Sequence, residues 1–62
     1  MTTPYVVIME VNSWREAYYV NDADDWSDGW DKACWMAGTP RADTQLVMSK
    51  PFYKVAEGGA CD

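Results

Sequence analysis

The sequence predicts a small α+β domain: an antiparallel sheet of three strands, or four, with one helix packed on a face, in the order β-β-α-β. Three observations predict it. Residues 5–11, YVVIMEV, and 44–49, TQLVMS, are short apolar runs rich in strand-forming residues. Residues 21–38 open on aspartates and close on Gly38 before Thr39-Pro40, the start and stop signals of a helix. The chain of 62 residues has room for one domain, 1–62, whose marginal core nine aromatic side chains enlarge.

The first run is apolar on both faces except at Glu10, which suits a central strand. Asn12-Ser13-Trp14 supplies turn chemistry. Residues 15–20, REAYYV, then complete a hairpin. A helix beginning at Ser13 competes, because SWRE has capping-box spacing. Tyr18, Tyr19 and Val20 favour the strand.

In the central segment Asp22, Asp24, Asp25 or Ser27 is placed to cap the helix, and early aspartates suit its positive end. Gly29 weakens the first turn by up to about 1 kcal/mol against alanine. Helical spacing groups Trp26, Trp30, Ala33 and Ala37 into a stripe expected to pack on the sheet. The opposite face carries Asp24, Asp28 and Asp31, with Trp35 among them. After the loop GTPRAD comes the third strand, 44–49. Pro51 is expected to interrupt it, and FYKVA (52–56) either continues it or forms a short edge strand. Residues 57–62, with Gly58 and Gly59, read as a flexible tail.

Charge is distributed unevenly. Asp22, Asp24, Asp25, Asp28 and Asp31 fall within ten residues that hold no base, while the rest of the chain balances five acids against five bases. The whole net charge of −5 is therefore one local feature. Such a surface is repelled by nucleic acid and anionic membranes and steered toward basic proteins.

Several chemistries fail on residue types. Without histidine, and with only Cys34 and Cys61, the usual zinc sites cannot be assembled. Cys34 reads as a core residue and Cys61 as part of the tail; a bridge between them has no support in the sequence. An EF-hand loop begun at Asp24 places Trp26 and Trp35 where oxygen ligands are required. Acid–base catalysis needs two carboxylates in unlike surroundings, whereas these share one solvated face. No enzyme, cofactor or metal is expected.

The N-terminal MTTPYVVIME has no basic leader and its apolar run stops at Glu10, so a cytoplasmic protein is expected. No apolar stretch approaches the roughly 20 residues that cross a bilayer.

Imitation of a nucleic-acid backbone fits the residues better. On a helix rising about 1.5 Å per residue, five charges in ten residues give about one per 3 Å. One strand of B-DNA carries one per roughly 3.4 Å. A solvated acidic face kept for solubility is the plain alternative, although interspersed charge would serve that purpose without repulsion. Trp35, pointing to water among carboxylates, has the setting of a binding anchor.

In size, acidity and the stretch DADDWSDGWD, the chain resembles the small phage- and mobile-element-encoded inhibitors of bacterial defence. Among these it is similar to the anti-CRISPR proteins, several of which act as DNA mimics. The resemblance implies a monomeric, stoichiometric inhibitor of a CRISPR effector complex, of type I, blocked where its lysines and arginines receive target DNA. Asp22, Asp24, Asp25, Asp28, Asp31 and Trp35 are the expected contacts, with no direct binding of nucleic acid. Two other readings use the same features. One is an inhibitor of a different nucleic-acid enzyme; the other is an accessory subunit that docks through aromatics, Trp14 included.

Overall fold

Asn12 and Ser13 both take positive φ, 53° and 65°, as the two-residue turns that match strand twist require. They join strand β1 (Thr3–Val11) to strand β2 (Trp14–Ala23), which pair antiparallel. The structure, a computed structural model, describes residues 2–52. Helix α1 (Trp26–Ala37) follows, then a single 3-10 turn (Arg41–Asp43) and strand β3 (Thr44–Pro51). β3 returns antiparallel to the other side of β1, so the sheet order is β2-β1-β3 and β1 is central. This is the β-β-α-β order expected of the sequence.

The strands differ from the expected ones in length. β2 begins at Trp14, which sets aside the helix from Ser13, and it runs on to Ala23 through a bulge. Tyr5 pairs with Val20 but Thr3 pairs with Ala23, so Asn21 and Asp22 together face Pro4. Proline offers the ladder no N–H, and the additional residue lets Val20 and Ala23 both turn inward, where both are buried. Pro51 ends β3 without breaking it, because an edge strand tolerates a missing donor. The Phe52 N–H then donates to the Pro4 carbonyl at 2.8 Å. The further strand expected over 52–56, Cys61 and the tail 57–62 lie, apart from Phe52, outside the described residues.

The core forms between one face of the sheet and the helix. Val7 and Met9 of the central strand are fully buried, with Tyr5, Val20, Ala23, Ala33 and Cys34 around them. Cys34 is the core residue expected; its thiol is free and lies 3.9 Å from the Met9 sulfur.

The helix lies on the sheet by the stripe expected of it, with Ala33 fully buried, but its first tryptophan stays outside. Its buried residues are Gly29, Ala33 and Cys34. A β-carbon on Gly29 would stand 3.2 Å from Ser49 Oγ and 3.4 Å from Tyr5, so glycine allows the backbone itself to rest on the sheet. Trp26, expected in the buried stripe, is instead 53% exposed. At this separation no indole fits beneath the helix. Trp30 and Ala37 are half-buried at the border of the core. Trp30 stacks with Trp26 at 6.4 Å between ring centroids, and its indole N–H donates to Thr44 Oγ1 at 2.9 Å. Among the described residues no helix is long and apolar enough to cross a membrane.

Candidate partner-binding surface

The five aspartates gather around the start of α1, and each has a distinct local role. Asp25 is the N-cap. Its backbone is extended (φ −161°, ψ −174°) and its Oδ1 accepts the Asp28 N–H at 2.9 Å, satisfying one of the donors that a helix start leaves open. Asp28 Oδ2 in turn accepts the Asp24 N–H at 2.9 Å. The pair resembles a capping box whose return bond is shifted by one residue.

Lys32 reaches back over this turn. Its Nζ stands 3.3 Å from Asp28 Oδ2 and 3.8 Å from Asp22 Oδ1, and donates to the Asp22 carbonyl at 2.9 Å. The Asp24 N–H bond, helped by Lys32 and opposed by partial desolvation, holds the Asp28 carboxyl below its ordinary value of 3.8. Asp28 raises Lys32 above its ordinary 10.5 by the same contact.

Asp31 is held from the other side. Arg41, in the 3-10 turn, places Nε 3.5 Å from Asp31 Oδ1, an ion-pair distance without the alignment of a hydrogen bond. Its Nη2 donates to the Ser27 hydroxyl at 2.8 Å and to the Ser27 carbonyl. The guanidinium sits 4.3 Å from the centre of the Trp30 ring, within cation–π range. Thr44 completes the clasp by donating its hydroxyl to the Arg41 carbonyl at 2.9 Å.

The expected strip of unneutralised carboxylates along one helix face is therefore corrected in two respects. Asp22 lies in β2, Asp24 precedes the helix and Asp25 caps it, leaving only Asp28 and Asp31 within α1. The charges form a knot at one end, not a rail with helical rise. Asp22, Asp28 and Asp31 also have cationic neighbours from the chain itself. Lys32 was legible as a partner, being four residues after Asp28. Arg41 gave no such signal, since the loop alone carries it to the helix.

Two features of the expected site remain. Five acids against two bases leave this end strongly anionic, and among the described residues no ion pair engages Asp24 or Asp25. Trp35 is 79% exposed, one helical turn beyond Asp31. Met36 beside it is also exposed, as is Trp14 on β2. Among the described residues no three cysteine, aspartate or glutamate side chains are placed to hold a metal ion together. No protein-family model, curated protein or solved structure matches the chain.

Proposed function

We propose that this protein is a stoichiometric inhibitor that occupies a basic, nucleic-acid-receiving surface of a bacterial protein. Its resemblance in size and charge to anti-CRISPR proteins makes a CRISPR effector complex the target of first choice. The observation that carries the reading is an anionic knot whose outermost member, Asp31, lies one helical turn from the solvated indole of Trp35. Coulomb attraction steers such an end toward lysine- and arginine-lined channels. Burying Trp35 against the partner then supplies the apolar anchor that electrostatics alone does not.

The internal pairing assigns the charges different tasks. Asp25 and Asp28 hold the helix start, so reversing them tests folding as much as binding. Asp24 and Asp22 are the carboxylates to reverse, because their side chains accept none of the helix-capping bonds. The experiment compares the parent chain with the double variant Asp22→Lys/Asp24→Lys, and separately with Trp35→Ala. Each is tested for protection of phage in CRISPR-immune bacteria and for effector capture at low and high salt. The expected result is capture that weakens with salt and is lost in both variants, with far-UV circular dichroism unchanged. Full inhibition by the well-folded double variant would refute the proposed contact.

A further inference from the structure

The helix covers one face of the sheet; the other face has a different composition, and β3 carries one additional residue, the exposed Val47, between its pairings with Ile8 and Met9. Side chains alternate along a strand. Val7, Tyr18 and Ser49 belong to the helix side, where Ser49 Oγ donates to the Trp26 carbonyl at 2.9 Å. The remaining cross-strand rows therefore lie on the face that no other element among the described residues covers, the open face. They read Lys50–Val6–Tyr19, then Met48–Ile8–Ala17, then Gln45–Glu10–Arg15 toward the hairpin end. The Phe52 ring packs tilted against Tyr19 at 5.3 Å between centroids and extends the apolar area at the far end.

These three rows carry two bases and one acid; Asp22, opposite Pro4, lies beyond them at the sheet's end, where Lys32 engages it, and the other four aspartates belong to the helix side. Two copies can therefore meet on the open face without setting their aspartates against each other.

We infer that the open sheet face is the interface of a symmetric dimer, with a two-fold axis between the sheets and perpendicular to the strands. Such an axis superposes the first row of one copy on the third row of its partner, and the middle rows on each other. Tyr19 then receives the partner's Arg15, a cation over an aromatic face. Lys50 meets the partner's Gln45 and lies beside the partner's Glu10. The Met48–Ile8–Ala17 rows form the dry centre, at the separation of about 10 Å usual for stacked sheets. The alternative axis, parallel to the strands, sets Glu10 against Glu10 and is disfavoured by like charge. The inferred axis leaves the helices outermost, with the two acidic ends at opposite extremities. This arrangement departs from the monomer expected of the sequence and is independent of the inhibitor reading.

Sedimentation velocity on the full chain over a concentration series tests it. The parent is expected to pass from monomer to dimer as concentration rises. Ala17→Lys places two lysines face to face at the centre, on a side chain that is already exposed, and is expected to weaken association at least about tenfold. Lys50→Glu is expected to weaken it as well, and Lys50→Glu/Glu10→Lys to restore it by exchanging the signs. Circular dichroism spectra like the parent's establish that each variant is folded. A parent that stays monomeric throughout would overturn the inference. So would a folded Ala17→Lys chain that dimerises as the parent does.

Discussion

Removing the Asp25 carboxylate separates the charges that build this helix from those that face a partner. The Asp25→Ala variant deletes the acceptor at 2.9 Å from the Asp28 N–H. Loss of an N-cap side chain costs about 1 kcal/mol, within a range of roughly 0.5–2. Loss of its negative charge at the positive end of the helix adds about 0.3–1 kcal/mol at low salt. The expected destabilisation is then about 1–2 kcal/mol. A domain of this length has roughly 3–9 kcal/mol in all, at the usual stability per residue, so the loss is a substantial fraction. The melting temperature should fall by about 5–15 °C, followed by far-UV circular dichroism at neutral pH. Asp25→Asn keeps the acceptor and removes the charge, so it should lose only the smaller part, and added salt should narrow its gap from the parent. Asp24→Ala removes a carboxylate that caps nothing and should stay within about 0.5 kcal/mol of the parent. An Asp25→Ala chain as stable as the parent, or an Asp24→Ala chain that melts earlier than it, would refute this division of roles.

The Asp28–Lys32 link should respond to pH at both ends of the scale. Asp28 titrates below its ordinary 3.8 in the fold, so its contribution is present above that value and disappears as pH falls through the lowered folded value. Lys32 titrates above 10.5, so its contribution is present below that value and disappears as pH rises through the raised one. Carboxyl carbon chemical shifts should place Asp28 under 3.8, and Asp28→Asn should flatten the acid side of the stability profile. At Gly29, substitution by leucine should cost about 1–3 kcal/mol in urea unfolding, because the added atoms must enter the closest contact between helix and sheet.

The strands and their order were legible because apolar and β-branched residues state their preference locally. Tyr18, Tyr19 and Val20 outweighed the capping-box spacing at Ser13, as their conformational preferences require. The extension of β2 to Ala23 was not legible. Asn21 and Asp22 are poor strand residues and join it only through the bulge opposite Pro4. The helix phase was legible, since Ala33, Trp30 and Ala37 of the expected stripe meet the core, and only Trp26 departs from it. Large apolar residues mark the inward face when a helix stands off its sheet, but Gly29 draws this one close and the small residues take the inside. At the acidic end, the composition of the site could be read from the sequence, whereas its partial neutralisation depended on Arg41 arriving from a distant loop.

The placement of β1 between β2 and β3 also orders the events of folding. The turn at Asn12–Ser13 brings β1 and β2 together across a short loop, with little entropy to overcome. The other side of β1 waits for a strand separated from it by the whole hairpin and helix. That later pairing is expected to be the slower one, since contacts distant in sequence form slowly. Until it occurs, the middle strand has one edge bare, and a chain halted there exposes a template for pairing with its neighbours.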